Sequence, residues 1–344
     1  MRRLYALSFA TGSEIPITRE ELDVLLAVPS DTSVDGSAFD AELVQRLVDV
    51  GLLLDEPDER LPDSGWNLYA AAYHFLTRWR GVDIRGADGD VAAPTADDAR
   101  AFLRLHGAPP PQFHPAVDPL AVVDLPRPAA EQALYQTLAA RQTTRNFDTS
   151  QALPLEQFAL VLHQVFGAHG YAELPGGDVV TVKRTSPSAG GLHPIEAYPI
   201  VTNVEGVDSG LYHYDAERHA LELLERLEPD AAVAVATQFV CGQTYFGSAH
   251  VLFLLSARFK RTYWKYRRHQ KAYASVLLDA GHLSQTLYLV AAELGLGAFV
   301  TTVINNAEID ERLGVDGIDE GTVAVCGLGV SAGPSPFDPV FRAR

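Results

Sequence analysis

The spacing of apolar and polar residues along the chain predicts helices mixed with short strands. Helical spacing ended by glycine, as at Gly167 and Gly295, is typical of amphipathic and buried helices. The predicted helices cover residues 18–28, 41–50, 134–141, 154–166 and 271–294, with further helices between 64 and 106. The predicted strands are residues 195–204, 211–214, 220–224, 250–257 and 322–327. Because strands and helices do not alternate regularly, the pattern favours an α+β fold over a repeating βαβ sheet.

Composition divides the chain into three predicted parts. Residues 1–62 contain two predicted helices followed, after Gly51, by a short apolar strand, an order that fits a winged-helix-like module. Residues 63–129 combine aromatic-rich helices with a linker or wrapping arm that holds seven prolines in residues 107–128. Residues 130–344 form the predicted main domain.

The overall charge disfavours two classes of partner. The 344 residues include 27 Lys and Arg against 44 Asp and Glu, a net charge of −17. This excess of anions argues against binding to a nucleic-acid backbone or to an anionic membrane surface. Winged-helix modules often bind DNA, but the segment that would contact DNA here, residues 40–50, has one arginine and three carboxylates. This charge favours peptide docking or dimer packing over DNA binding.

Neither a metal site nor export from the cytoplasm is expected. The two cysteines, Cys241 and Cys326, form no CxxC pair, and the eleven histidines show no HExxH spacing. The N-terminus lacks a convincing signal peptide, and no apolar run reaches about 18 residues. We therefore expect a soluble cytoplasmic protein without a metal.

One segment departs from the negative charge of the rest. Residues 258–271 hold seven cationic side chains and no carboxylate. The net charge of the whole chain is −17, so the net charge of the remaining residues is −24. A solvated, basic helix face is the simplest interpretation. A segment that attracts an acidic leader peptide or a phosphate is another.

Residues 141–147 (RQTTRNF) place two arginines four positions apart at the end of a predicted helix. Guanidinium groups with hydroxyls between them can hold a phosphate through charged and neutral hydrogen bonds. The alternative is a solvated helix end whose arginine complements the helix dipole.

Residues 184–194 (RTSPSAGGLHP) place small residues between two prolines. Small side chains let backbone N–H groups approach a flat ligand closely. The alternative is an ordinary turn rich in glycine and proline.

Together and in this order, the two motifs resemble the FMN-dependent nitroreductase superfamily, and more closely its SagB/ThcOx-type dehydrogenases of ribosomal peptide maturation. Residues 141–145 resemble the flavin-phosphate pattern Arg-x-Ser/Thr-x-Arg/Lys, and residues 187–194 resemble the Pro-Ser-Ala-Gly signature followed by His-Pro. Residues 279–299 resemble that branch's Gly-His-x-x-Gln helix with its Gly-Leu-Gly end. The resemblance covers residues 130–332 and implies an α+β nitroreductase domain with a winged-helix-like and helical N-terminal extension.

The resemblance implies FMN as the cofactor, buried at a homodimer interface. The residues implied to hold the phosphate and ribityl chain are Arg141, Gln142, Thr143 and Arg145. The residues implied to line the isoalloxazine, from the partner subunit, are Pro187, Ser188, Ala189, Gly190 and Gly191. Gly297 and Thr302 are further implied flavin contacts. Two positions depart from the family pattern: Thr302 stands where relatives have a glycine, and Gln142 stands where many relatives have Arg or His. Arg342 and Arg344 are additional candidates for the phosphate.

The resemblance also implies a reaction, the dehydrogenation of thiazoline or oxazoline rings in a precursor peptide, with O2 reoxidising the flavin. Lys265 is implied to be the general base, and Tyr266 to hydrogen-bond and orient. A cyclodehydratase is a candidate partner. Two alternatives remain: an NAD(P)H-using flavin reductase of dehydroamino acids, nitroaromatics or quinones, and a non-catalytic scaffold that recruits peptide through residues 1–60.

Overall fold

The computed structural model describes residues 4–8, 11, 13–28, 38–54, 65–84, 100–101, 103–105, 107, 111–113, 120–126, 131–173 and 180–334. Its strands are β1 (Leu4–Ser8), β2 (Ser13–Ile17), β3 (Gly170–Glu173), β4 (Val180–Lys183), β5 (Ile195–Val201), β6 (Gly210–Asp215), β7 (Ala220–Arg226), β8 (Val251–Arg258), β9 (Leu296–Thr301) and β10 (Glu320–Val330). Its main helices are α1 (Arg19–Ala27), α2 (Ala41–Asp49), α3 (Leu68–Leu76), α4 (Ala133–Ala140), α5 (Leu155–Phe166), α6 (Pro229–Phe239), α7 (Thr244–Gly247), α8 (Phe259–Lys265), α9 (Ala272–Glu293) and α10 (Asn306–Leu313).

A six-stranded antiparallel sheet forms the centre of the fold, in the order β7-β6-β5-β8-β10-β9. Both of its faces are covered. Val251, Phe253 and Leu255 of β8 pack on one face with α5 and α9, while Leu252 and Leu254 pack on the other face with α6 and α10. Burial on both faces explains why β8 is a continuous apolar run without alternation. The α+β architecture predicted from the sequence is confirmed.

Helix α9 is the element around which the candidate site is built. It spans 22 residues and ends before Gly295, whose φ of 70° lies in the left-handed region that terminates helices. Its buried positions include Asp279 and Tyr288, which contact two different loops. No helix within the described ranges, α9 included, is long and apolar enough to cross a membrane.

Residues 65–84 pack into the same core as the central sheet. Trp66 is 7% exposed, and its ring lies 4.7 Å from Phe259 and 4.8 Å from Tyr263 between centroids. Its indole N–H donates to the carbonyl oxygen of Ile318 at 2.9 Å. This segment therefore contacts α8, the helix that carries Lys265. The predicted part limits at residues 62 and 129 stay predictions.

The N-terminal elements are an antiparallel hairpin, β1 with β2, followed by α1 and α2. Thr18 and Glu21 form the capping box at the start of α1, as their spacing predicts. Residues 52–54, the described part of the strand predicted after Gly51, form no strand, because the amides of Leu52 and Leu53 donate back to the Leu47 carbonyl oxygen and complete the end of α2. Among the described N-terminal residues the β-ribbon precedes the two helices, whereas the sequence pattern predicts a ribbon after them.

Candidate active site

The two residues predicted to be catalytic lie against the loop of residues 187–191, named here the PSAGG loop. Lys265 ends α8 and Tyr266 follows it. Lys265 Nζ lies 3.5 Å from the Gly190 carbonyl oxygen, across 75 positions of sequence. A Cβ built on Gly190 would lie 2.6 Å from Tyr266 Oη and 2.8 Å from Lys265 Nζ. Since Gly190 also has a φ of 63°, space and backbone conformation both require glycine here.

A buried carboxylate holds the PSAGG loop in place. Asp279 of α9 is 5% exposed and accepts hydrogen bonds from Ser188 Oγ at 2.5 Å and from the Ala189 amide at 3.2 Å. Ser188 Oγ in turn accepts a hydrogen bond from the His193 amide at 2.8 Å. Burial raises the pKa of Asp279, and its hydrogen bonds to the loop oppose that rise. Asp279 therefore ties the loop that places Gly190 to α9.

Exchange of Asp279 for asparagine is expected to loosen the PSAGG loop. An amide retains one acceptor oxygen but turns an NH2 group toward a donor, so one of the two hydrogen bonds is lost. We expect amide hydrogen exchange in peptides covering residues 186–193 to quicken by about tenfold, measured by mass spectrometry. Glu293→Gln, which removes the same charge from an exposed position of α9, is the matched control. Equal exchange in the two variants would contradict the anchoring role of Asp279.

A cavity of about 580 Å³ opens beside the contact between Lys265 and Gly190. Helix α8 lines it with Arg261, Trp264 and Lys265, and β4 lines another side. Trp264 is 68% exposed, so its indole is free to contact a ligand. A flat apolar ring next to cations suits a planar ligand that carries oxygen acceptors.

His193, at the end of the loop region, is a weak base. Burial, and then the nearby charge of Arg184, lower the pKa of His193 to about 4. Its imidazole is neutral at pH 7 and has little affinity for a proton. His193 is therefore a poor candidate for removing a proton from a ligand in the cavity.

The predicted phosphate motif lies at the end of α4. Arg141 is the C-terminal capping residue of α4, and its guanidinium lies 5.3 Å from the centre of the Tyr288 ring. Thr143 Oγ1 lies 3.1 Å from Tyr288 Oη. Gln142 is exposed and Arg145 is half-buried. Arg141 and Thr143 therefore lie at the side of α9 that carries Tyr288.

Strand β9 packs directly behind that motif. The Thr144 amide donates to the Ala298 carbonyl oxygen at 2.9 Å, and a Cβ on Gly297 would lie 2.5 Å from Thr144 Cγ2. Close packing of two backbones is therefore sufficient to explain the glycine at 297. Thr302 follows β9 and is exposed. The predicted flavin contacts of Gly297 and Thr302 stay predictions.

Helix α9 separates the two groups of residues predicted to bind flavin. Asp279 contacts the PSAGG loop, and Tyr288 contacts the phosphate motif. Nine positions along an α-helix correspond to about 13.5 Å of rise and about 180° of rotation. The contacts of Asp279 and Tyr288 with the two groups therefore lie on opposite faces of α9. Arg342 and Arg344 lie outside the described residues.

Two residues beside the PSAGG loop are not among the predicted site residues: Asp279 contacts the loop, and Arg261 contacts Leu192 directly after it. Asp279 is a lone carboxylate in the apolar middle of α9, and a charged residue among apolar ones indicates a buried side chain with a specific partner. Arg261 lies four positions before Lys265, a spacing that puts both side chains on one face of a helix. Neither signal identifies the loop that these residues contact.

The family model of the Nitroreductase family matches residues 138–330, more than half of the chain. A protein named as a nitroreductase, MJ1384 of Methanocaldococcus jannaschii, is 30% identical over 183 residues, which are 53% of this chain and 85% of that protein. Members of this family bind FMN.

Two relatives have names that refer to peptide products. The trifolitoxin-processing protein TfxB of Rhizobium leguminosarum bv. trifolii is 26% identical over 39% of this chain and 36% of that protein. The microcin B17-processing protein McbC of Escherichia coli is 27% identical over 40% of this chain and 51% of that protein. The match thus spans about half of McbC and about a third of TfxB.

A solved structure extends the similarity in fold. A chain of the E. coli microcin synthetase McbBCD complex with truncated pro-MccB17 bound superposes with a TM-score of 0.56 and 20% identity, covering 82% of this chain and 96% of that chain. At this identity the match shows a shared fold, and it extends beyond the residues that the family model matches. The chain therefore belongs to the nitroreductase family, and its homologues include the processing proteins McbC and TfxB.

Proposed function

We propose that the protein is an FMN-dependent oxidoreductase that dehydrogenates thiazoline or oxazoline rings of a ribosomally made precursor peptide to thiazole or oxazole. The observation that carries the proposal is the contact of Lys265 and Tyr266 with Gly190 beside a cavity of about 580 Å³. Such a cavity has room for a five-membered ring and its neighbouring residues. The homology to TfxB and McbC supports a peptide as the substrate.

The residues present suit FMN. Gly190 and Gly191 expose backbone without side chains, and at Gly190 a Cβ would occupy the space between the loop and α8. Such a surface suits a planar isoalloxazine. The residues that would hold the phosphate and ribityl chain are Arg141, Gln142, Thr143 and Arg145. When bound, FMN supplies a two-electron acceptor for the ring.

Lys265 is the proposed base. Dehydrogenation of an azoline removes a proton from a ring carbon, and a positioned base raises the rate of that removal. Lys265 ends α8 at the cavity, and its Nζ lies beside the Gly190 carbonyl oxygen. Its side chain is exposed in the single chain, so a bound ring would cover it and exclude water from the reacting atoms. Tyr266 Oη, close to the same glycine, is placed to hydrogen-bond and orient the ring.

A homodimer is proposed to complete the site. The phosphate motif and the PSAGG loop lie on opposite faces of α9, so a second copy would supply the missing half. Apolar surface is available for such an interface, because Leu134 and Leu138 of α4 and Leu278 of α9 are 60%, 44% and 63% exposed. The proposed further partners are the precursor peptide and a cyclodehydratase. The microcin synthetase complex, which was solved with a truncated pro-peptide bound, supports the first of these.

Reconstitution tests the proposal. Purified protein is expected to retain FMN through gel filtration, to show flavin absorption bands, and to remove two hydrogens from a thiazoline-containing peptide in air, measured by mass spectrometry. The same peptide with unmodified cysteine is the matched control and is expected to remain unchanged. Rapid bleaching of the flavin by NAD(P)H without peptide would contradict azoline oxidation and indicate a reductase. Colourless protein that takes up no FMN would contradict flavin chemistry altogether and favour a scaffold.

A further inference from the structure

We propose that Arg261 is a second catalytic residue, which binds the carbonyl oxygen attached to the ring carbon that Lys265 deprotonates. This inference rests on the proposed function and adds the group that stabilises negative charge during proton removal. Its basis is the position of Arg261 relative to Lys265, the PSAGG loop and the cavity.

Arg261 and Lys265 form a fixed pair on one face of α8. They are four positions apart, which aligns their side chains along the helix. Arg261 Nε donates a hydrogen bond to the Leu192 carbonyl oxygen, and Lys265 Nζ lies near the carbonyl oxygen of Gly190, two residues earlier. Both cations therefore contact neighbouring parts of one loop and line the same cavity.

The terminal nitrogens of Arg261 remain available for a ligand. Its Nε is engaged by the Leu192 carbonyl oxygen, and neither Nη atom has a hydrogen-bond partner within the described part of the chain. A guanidinium anchored through Nε presents two N–H groups in a planar fork, which matches a carbonyl or carboxylate oxygen.

The other cations of the cavity wall differ from Arg261 because they are already paired with carboxylates. Arg258 Nη1 lies 3.0 Å from Glu196 Oε1, and Lys260 Nζ lies 3.1 Å from Asp319 Oδ2. Arg261 and Lys265 have no carboxylate partner among the residues that the structure describes. These two cations are therefore the ones free to act on a substrate.

The chemistry of an azoline requires both kinds of group. The ring carbon derived from the α-carbon of cysteine or serine carries one hydrogen and the peptide carbonyl. When Lys265 Nζ, as the free amine, takes that hydrogen as a proton and becomes an ammonium, the electron pair of the broken C–H bond delocalises onto the carbonyl oxygen. Hydrogen-bond donors aimed at that oxygen lower the barrier, as in an oxyanion hole. The electron pair returns to form the ring double bond as the adjacent carbon gives up its hydrogen together with two electrons, for which bound FMN would be the acceptor. The ring thereby loses two electrons and two hydrogens, one of which is held as a proton on Lys265 Nζ.

Turnover of Arg261→Gln tests this assignment. We expect kcat for a thiazoline peptide to fall by about 10²–10³-fold, the effect of removing one oxyanion donor, with the FMN dissociation constant within threefold of the wild type. Lys271→Gln, which removes a cation from the same basic segment outside the cavity wall, is the matched control and is expected to keep kcat within threefold. Unchanged kcat in Arg261→Gln would overturn the proposal and leave the proposed function standing. Loss of FMN binding in that variant would also overturn it, because Arg261 would then hold the loop for the flavin.

A binding measurement separates this inference from the proposed function. The probes are 2-methylthiazole-4-carboxylate, which mimics the negative oxygen, and 2,4-dimethylthiazole, which lacks it. FMN-loaded wild type is expected to prefer the carboxylate by at least about tenfold, measured by calorimetry, and Arg261→Gln is expected to lose that preference. If the wild type oxidises no azoline yet shows this preference, the proposed reaction fails while Arg261 remains the oxygen-binding residue. Equal preference in wild type and variant would overturn the role of Arg261.

Discussion

Replacing Lys265 with methionine is expected to lower the rate of azoline dehydrogenation by about 10²–10⁴-fold while FMN stays bound. Methionine has nearly the length of lysine but no amine, so the cavity keeps its shape and loses its base. Lys265 Nζ lies beside the Gly190 carbonyl oxygen, and the atoms nearest to a Cβ built on Gly190 all belong to Lys265 and Tyr266. Tyr266 stays in place in this variant, so the change in rate reports on the amine of Lys265.

Three measurements make this result specific. Flavin absorbance after gel filtration is expected to be the same as in the wild type, which separates catalysis from cofactor binding. Turnover of the thiazoline peptide is followed by mass spectrometry. Lys271→Gln again serves as the control for loss of one positive charge in residues 258–271. Undiminished turnover in Lys265→Met would remove Lys265 from the mechanism and leave the basic segment as a charged surface.

Replacing Trp66 with alanine is expected to reduce the free energy of unfolding by about 3–5 kcal/mol. The indole is 7% exposed and packs between Phe259, Tyr263 and Tyr273, at centroid distances of 4.7, 4.8 and 5.4 Å. Alanine leaves a cavity among these rings and also leaves the Ile318 carbonyl oxygen without its donor.

Urea unfolding monitored by circular dichroism measures this loss. Trp79→Ala is the matched control, because Trp79 is 40% exposed, and we expect it to cost less than about 1 kcal/mol. A loss of the same small size in Trp66→Ala would show that residues 65–84 do not contribute to the stability of the main core. A large loss would show that residues 65–84 and the helix that carries Lys265 stabilise one common core.

Elements with strong local signals could be predicted from the sequence. Glu21 caps α1 from its own first turn, and Gly295 ends α9 with a left-handed backbone. Strand β9, in contrast, was missed because it is a short edge strand beginning near two glycines and owes its conformation to pairing with β10. Helix α6 was missed although Pro229 stands at its first position, a recognised start signal.

The family resemblance names candidate site residues in the sequence, but it does not give their arrangement. It points to Lys265, Tyr266 and Gly190, and the fold brings these three together without any sequence signal for that contact. Asp279 lies 91 positions from Ser188 in the chain, so its role depends on how α9 packs beside the loop. The separation of the phosphate motif from the PSAGG loop likewise depends on which faces of α9 they contact, a tertiary property.

The contact at Gly190 has a consequence for how related sequences vary. A side chain at this position would occupy the space that Lys265 Nζ and Tyr266 Oη now occupy, and the backbone there would be strained as well. Relatives that keep the Lys-Tyr pair should therefore keep glycine at the matching position, while relatives that have lost the pair are free to accept alanine or serine. The three positions are expected to vary as one unit across the family, although they lie in two distant parts of the chain.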